Sequence, residues 1–391
     1  MQKKLIALAV AGLGLTASAF AQTNVTIYGI VDETFGATKA IGSATGDKLN
    51  TIKLDSNSSY VGFKGTEDLG DGLSAIFQIE SGFAGDTAGA LAGGRDTFVG
   101  LKSGWGTVRL GNFTGPTRAI GTTLDLLPGR DGIGTSNSII GRGITGTGAT
   151  ATLFDTRTPN TIQYASPNFE GFRVAVDYAA GENRNLSNAA PSSQANDKLW
   201  ELGLTYANGP WYVGYAYGKN DYGTASAATI PLAVANANAL QTWTSNRLGA
   251  GYTFTEGHKI NLIWDKQKQE LLNTGGVLNA NSNFEKTSWS LQGLFKVSAP
   301  GSLIVAYSKS NDASGSFLPA TTLKTNSETG AKEFTIGYLH ALSKRTTLKA
   351  IWTKISNDNN VAYDFAGNAV GGGFGLGADP QGIAVGIRHA F

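Results

Sequence analysis

Hydrophobic and polar residues alternate along most of the chain with a period of two. In the stretch 59–67, Val61 and Phe63 fall on one side of this repeat, and Tyr60 and Lys64 fall on the other. Because successive side chains of a β-strand point to opposite faces, the pattern predicts a strand with one apolar and one polar face. Similar alternation is found in the runs 74–80, 172–178, 202–206, 248–254, 289–297 and 334–340. The chain is therefore predicted to be all-β.

The connections between these runs alternate in length, which separates two kinds of β-protein that share the two-residue period. Short turns are predicted at 68–71, 103–106, 167–170, 207–210, 255–258, 299–301 and 343–345. Long polar links are predicted at 36–48, 84–94, 114–156, 181–196, 221–242, 271–283, 311–330 and 357–377. A soluble β-sandwich has no reason to sort its loops by length, whereas outer-membrane barrels have short turns at one rim and long loops at the other. We predict a sixteen-stranded antiparallel transmembrane β-barrel with short periplasmic turns and long outer loops.

Composition removes several other classes of protein. The chain has 53 glycines and 15% charged residues, which argues against a helical core, and its 41% hydrophobic and 10% aromatic content argues against disorder. It has no cysteine, so disulfides, thiol catalysis and cysteine-ligated metal sites are excluded. The formal net charge of +2 arises from scattered residues, and no nucleic-acid partner is expected.

The start of the chain has the pattern of a secretory signal peptide. Lys3 and Lys4 precede an apolar run, and Ala-Phe-Ala at 19–21 has the small-residue spacing of a cleavage site. We expect residues 1–21 to be removed, which leaves a barrel domain of residues 22–391 with no net charge. Because no later stretch has eighteen or so consecutive apolar residues, a transmembrane helix is not predicted.

Motifs for catalysis or cofactor binding are weak. Residues 141–146 match the G-x-G-x-x-G dinucleotide fingerprint, but they lie in a polar link without the strand and helix that the fingerprint needs. His258, His340 and His389 are far apart in the chain, and we interpret them as turn and strand-end residues rather than metal ligands. No catalytic residue, cofactor or metal is predicted, and the chain is not expected to be an enzyme.

Several stretches closely resemble the general diffusion porins of Gram-negative outer membranes. They are "NVTIYGIVDETF" at 24–35, "SSYVGFKGTEDLGDGLSAIFQIESGF" at 58–83, "RDTFVGLKSGWGTVRLGN" at 95–112, "TPNTIQYASPNFEGFRVAVDY" at 158–178 and the ending "GIAVGIRHAF". The resemblance implies a homotrimer in contact with outer-membrane lipid and lipopolysaccharide, and passive passage of small hydrophilic solutes and ions. It also implies that the terminal Phe391 is a signal for outer-membrane insertion. A solute-specific channel and a surface adhesin or receptor barrel are the alternatives.

In the porins that this chain resembles, the third long loop folds into the barrel and forms the narrowest part of the channel. That loop corresponds here to 114–156, whose many glycines suit tight folding. The resemblance assigns Asp125 and Asp131 to the constriction, and Arg118 and Arg130 supply charges of the opposite sign in the same loop.

The polar side of the strand repeat is predicted to face the lumen and to supply the wall opposite this loop. Arg157, Tyr60, Lys64 and Glu80 lie on that polar side, and Arg95 matches the position of a porin arginine that lines the channel. A row of arginines that faces carboxylates would produce a transverse field, which orients polar solutes and hinders apolar ones.

Two positions depart from the porin pattern. The resemblance implies arginine at the positions of Tyr60 and Asn112, so two wall cations of the porin pattern are missing here. We therefore expect a weak ion preference rather than strong anion selectivity. Arg109 and Arg173 are predicted only to solvate the lumen and to pair with neighbouring groups.

Overall fold

A computed structural model describes residues 24–127, 132–145, 148–181, 198–222, 240–272, 282–315, 326–371 and 374–391. The predicted signal peptide at 1–21 lies outside these residues, and so do the predicted site residues Arg130 and Asp131.

Strands make up most of the described chain. Their bounds are β1 (Asn24–Ile41), β2 (Lys48–Ser56), β3 (Tyr60–Gly70), β4 (Leu73–Gly82), β5 (Thr97–Ser103), β6 (Gly106–Thr114), β7 (Arg142–Thr145), β8 (Gly148–Ala151), β9 (Arg157–Ala165), β10 (Phe172–Ala180), β11 (Lys198–Asn208), β12 (Trp211–Tyr222), β13 (Leu240–Thr253), β14 (Lys259–Leu272), β15 (Ser282–Lys296), β16 (Gly301–Ser310), β17 (Ala331–Ala341), β18 (Thr346–Asn357) and β19 (Asp379–Ala390). The α-helix α1 (Pro116–Leu124) and two 3-10 turns, Ser136–Ser138 and Leu153–Asp155, lie between β6 and β9.

The strands close into a barrel. Each strand is antiparallel to its neighbour, and β1 pairs with β19 from Ile30↔Ala390 to Ile41↔Asp379. β2 and β3 both pair with β1 and together fill one position, so the described strands make sixteen barrel positions. β7 and β8 form a separate hairpin. The prediction of a sixteen-stranded antiparallel barrel is confirmed.

Side-chain exposure follows the predicted alternation. On β9, Ile162 and Tyr164 are 44% and 40% exposed, whereas Thr161 and Gln163 are 3% and 4% exposed. Apolar residues therefore point outward and polar residues inward, the reverse of a soluble barrel, because the outer surface is solvated by lipid. Within the described parts of the chain, no helix has the length and apolar character needed to cross a membrane.

Short turns and long connections alternate as predicted except at the first connection, which spans only 42–47 and is no longer than the turn 166–171. Some strand ends also differ. The first link was predicted at 36–48, whereas β1 continues to Ile41 and pairing reaches Ala40↔Lys48. β1 extends beyond the residues that alternate between apolar and polar, because hydrogen bonding between strand backbones does not require lipid-facing side chains. The link predicted at 84–94 extends two residues further, because β5 begins at Thr97, so Arg95 lies at the end of a loop.

The described residues of the third long connection, 115–127, 132–145 and 148–156 (loop 3), lie inside the barrel. Helix α1 packs its buried Ile120 and Leu124 against the inner face of β10–β14. Gly249 on β13 makes this approach possible, because a Cβ there would lie 2.2 Å from Leu124 Cδ1. The apolar core of the protein is therefore found between loop 3 and the barrel wall rather than between two sheets.

Candidate functional site

A buried ion cluster holds loop 3 against one wall of the barrel. The side chain of Arg247 on β13 is 0% exposed, and its Nη1 lies 2.8 Å from Asp155 Oδ1 of loop 3. Its Nε lies 2.9 Å from Asp265 Oδ1 on β14, and Nη1 also donates to the Thr117 carbonyl at 3.0 Å. Breaking such a cluster would leave an uncompensated buried charge. It therefore fixes both ends of loop 3 on β13 and β14.

Side chains from the same wall also hold the ends of α1. Glu201 Oε1 accepts a hydrogen bond from Thr117 N at 3.2 Å, at the helix end where a carboxylate is favourable. At the other end, Asn261 Nδ2 donates to the Leu124 carbonyl at 2.8 Å. The helix is thus fixed along its length, and its position does not depend on apolar packing alone.

The face of α1 that does not touch the wall is turned toward the lumen. Arg118 and Thr122 are one helical turn apart on this face, and Thr122 is exposed. The Arg118 guanidinium donates to the Asp155 carbonyl, which keeps this cation beside the ion cluster. Loop 3 therefore presents a held cation and hydroxyl groups to the channel.

The wall opposite α1 follows from the closed order of the strands. Helix α1 packs around β12, and eight positions further round the barrel is β1. The strands that face the helix across the lumen are therefore β18, β19, β1, β3 and β4. Their inward side chains form the second boundary of the channel.

A cluster around Glu80 lies on this opposite wall. Tyr28 Oη donates to Glu80 Oε1 at 2.9 Å, and Gln78 Nε2 donates to the same oxygen at 3.1 Å. Arg95 Nε lies 3.4 Å from Glu80 Oε2, and Arg95 Cζ lies 4.1 Å from the centroid of the Tyr60 ring. The arginine is therefore held by an ion pair on one side and by a cation–π contact on the other.

A second ion pair lies beside this cluster. Arg157 Nε is 2.5 Å from Asp96 Oδ1, and both side chains are 19% exposed. Asn112 Nδ2 donates to the Arg95 carbonyl at 2.9 Å. Asn112, one of the positions that depart from the porin pattern, thus helps to position the neighbouring arginine.

A third charged group is centred on Asp32 of β1, which is fully buried. Lys349 Nζ pairs with Asp32 Oδ1, and Arg388 Nη1 lies 3.1 Å from Asp32 Oδ2. Asn57 Nδ2 donates to Asp32 Oδ1 at 3.0 Å. One carboxylate therefore balances two cations on this part of the wall.

The charges on the wall are largely balanced in pairs. Arg95, Arg157 and Arg388 each lie against a carboxylate. Among the described residues Lys64 forms no ion pair, and its Nζ lies 4.9 Å from the centroid of the Tyr28 ring. Positive and negative side chains therefore alternate over short distances on this wall. The wall has a small excess of positive charge but no broad positive surface.

The described residues of the last long connection, 358–371 and 374–378 (loop 8), pack onto loop 3 inside the outer mouth. Tyr363 is fully buried, and its Oη donates to Ser310 Oγ at 3.2 Å. Asp364 Oδ1 accepts hydrogen bonds from Phe365 N at 2.7 Å and Val370 N at 3.0 Å. Burial raises the pKa of the Tyr363 hydroxyl and of the Asp364 carboxyl above their usual values. Ala366 N donates to Ser138 Oγ of loop 3 at 3.3 Å, so loop 8 supports the position of loop 3.

The structure brings most of the predicted wall residues together. Tyr60, Glu80 and Arg95 form one cluster, and Arg157 and Lys64 lie beside it through their contacts with Asp96 and Tyr28.

Asp125, which was predicted to face the constriction, lies at the end of α1 on the other side of the lumen. Its Oδ1 accepts from Leu127 N at 3.1 Å, and its Oδ2 accepts from Ser136 N at 2.9 Å. These bonds order the turn within loop 3.

The sequence interpretation missed several wall residues. Tyr28 and Asp32 lie on the polar side of the two-residue repeat in the stretch 24–35. The repeat alone therefore predicts that both side chains face the lumen. Lys349 and Arg388 also lie at strand positions that face the lumen. Their contacts with Asp32, however, depend on which strands become neighbours when the barrel closes.

A closed barrel with an apolar outer face and an internal loop that narrows the lumen defines the class of transmembrane channels. The family model described as "Gram-negative porin" matches residues 6–360, and the chain belongs to this family. It is therefore an integral protein of the outer membrane that forms a passive diffusion channel.

Individual relatives agree with this assignment. Outer membrane porin protein 32 of Delftia acidovorans is 29% identical, with 100% of both chains covered. The solved anion-selective porin from Comamonas acidovorans has a TM-score of 0.74 at 26% identity and covers 95% of this chain and 100% of its own. OmpT of Vibrio cholerae, solved in a trimer form, has the same fold with a TM-score of 0.61 at 18% identity, over 94% of this chain and 99% of its own.

Proposed function

We propose that small hydrophilic solutes and ions cross this channel between α1 and a wall formed by Tyr60, Lys64, Glu80, Arg95 and Arg157. The observation that supports this most directly is the position of α1, which lies across the lumen from the Glu80 cluster. Charged and hydroxyl groups on both boundaries compensate a polar solute for lost hydration, whereas an apolar solute receives no such compensation.

The proposed ion preference is weak and toward anions. Most wall cations lie within an ion pair, so their fields are partly cancelled at the distance of a passing ion. Lys64, for which the described residues supply no ion pair, adds a small positive excess. The similarity to a porin described as anion-selective supports this sign.

We also propose that the functional form is a homotrimer of residues 22–391, embedded in outer-membrane lipid and lipopolysaccharide, without enzymatic activity. The trimer form of OmpT, which shares the fold, supports the assembly. Phe391 is proposed to act in insertion. In the folded barrel it closes the β1–β19 seam, because Phe391 N donates to the Gly29 carbonyl at 3.1 Å.

Reversal potentials in a salt gradient test the proposed constriction. Replacing both Arg95→Gln and Arg157→Gln removes two cations and is expected to shift the zero-current potential toward cation preference. The matched control is Lys344→Gln with Arg345→Gln, which removes two cations from the exposed turn 342–345 outside the channel. An unchanged potential in the first variant, or an equal shift in the control, would contradict the proposed lining.

A further inference from the structure

A separate cavity of about 570 Å³ lies beneath α1, beside the short periplasmic turns. Its wall includes a row of directly paired residues that share one face of the sheet: Lys102, Thr107, Ala165, Ala175 and Gly203. This face is the lumen side, because a Cβ on Gly203 would lie 2.7 Å from Pro116 Cβ of the helix. Ala119 and Ile120 of α1 form the opposite boundary.

The charge of this cavity differs from that of the constriction. Lys102 and Arg173 line it, and no acidic residue does. Neither cation belongs to an ion pair of the described residues, although Arg173 was predicted to pair with a neighbour. Thr107 and Thr205 add hydroxyl groups to the same lining. The cavity thus contains two exposed cations and neutral hydrogen-bonding groups on the lumen side of the sheet.

We infer that this cavity is a binding site for a small dianion, such as a dicarboxylate or hydrogen phosphate, at the periplasmic exit of the channel. Two cations match two negative charges, and hydroxyl groups can donate to the remaining oxygens. The volume of about 570 Å³ falls within the range of small-molecule pockets. The inference rests on the proposed passage of small hydrophilic solutes, and it adds a preferred class of solute.

Isothermal titration calorimetry on the folded channel in detergent, at low ionic strength, tests the site with succinate, hydrogen phosphate and acetate as probes. The parent protein is expected to give saturable heats with the two dianions and much weaker heats with acetate. Replacing Lys102→Met together with Arg173→Met is expected to lower the succinate association constant by at least about tenfold. Lys102→Arg, which keeps the charge, is expected to retain binding.

The control variant replaces Lys259→Met and Lys296→Met, which stand at the same rim on β14 and β15 and do not line the cavity. Absent saturable heats in the parent, an unchanged constant in the Lys102/Arg173 variant, or an equal loss in the control would each overturn the site. If the double variant does not assemble, the same titrations are made with the single variants Lys102→Met and Arg173→Met. Heat-modifiable migration on gels shows whether each variant is folded. Basal conductance in potassium chloride is measured separately, because its loss would overturn the channel function and not the binding site.

Discussion

Tyr60 offers a sharp test of the proposed wall, because the resemblance to general diffusion porins predicts an arginine at this position. Its ring lies under the Arg95 guanidinium, with Cζ 4.1 Å from the ring centroid. Tyr60→Arg would replace a neutral ring by a second cation at the same place. Two adjacent guanidinium groups repel each other, so the new side chain is expected to extend into the lumen, where passing ions meet it.

The size of the effect follows from Coulomb's law. A unit charge about 4 Å from a passing anion in water contributes about 1 kcal/mol, which is about a fivefold change in relative permeability. At 0.1 M salt the screening length of about 10 Å lowers this to ~0.7 kcal/mol, or about threefold. At 1 M salt the length of about 3 Å leaves ~0.3 kcal/mol, or about 1.5-fold.

The assay is the reversal potential of single channels in potassium chloride gradients at low and at molar salt. Tyr60→Arg is expected to increase chloride preference, and the difference from the parent should shrink at high salt. Thr66→Arg is the matched control, because it lies on the same face of the same strand but roughly 20 Å closer to the turn. Tyr60→Phe should leave selectivity unchanged. Equal potentials for Tyr60→Arg and the parent at low salt, or the same shift with Thr66→Arg, would refute the placement of Tyr60 at the narrow part.

Three further predictions concern assembly and the two internal loops. Deleting Phe391 is expected to lower the amount of heat-modifiable trimer on semi-native gels, and unchanged assembly would exclude a role in insertion. Arg247→Met leaves Asp155 and Asp265 as uncompensated buried charges and should cost about 3–5 kcal/mol, seen as a lower Tm together with larger, noisier conductance; an unchanged Tm would show that the ion cluster does not hold loop 3. Because burial raises the pKa of Asp364 in the folded loop, the stability of loop 8 should be greatest at acidic pH and decrease as pH rises through that pKa. Amide exchange of 358–371, corrected for intrinsic rates, should be slower at pH 4 than at pH 7. Asp364→Asn should reduce that difference, and the remainder is expected from Asp358, whose pKa burial also raises.

The charge pattern of the wall explains how a channel can carry many ionic groups and remain weakly selective. Each carboxylate of the wall holds an arginine or lysine side chain in place, so the cations are ordered although their net field is small. Removing an acid such as Glu80 would therefore have two effects, since it adds net positive charge and also frees Arg95 to move.

The two-residue period predicted the strands and their inward and outward faces, and the alternation of short and long connections predicted the barrel. Val61 and Phe63 against Tyr60 and Lys64 already specify which side meets lipid, because a strand places alternate side chains on opposite faces. This information is local, so it can be read from a few neighbouring residues without the rest of the fold.

The contacts of the constriction were decided only by the tertiary structure. Arg247, Asp155 and Asp265 meet because loop 3 folds back into the barrel, and Asp32 meets Lys349 and Arg388 because β1 pairs with the last strand. No alternation pattern encodes these partners, since they are far apart in sequence and ion pairing depends on distance in space.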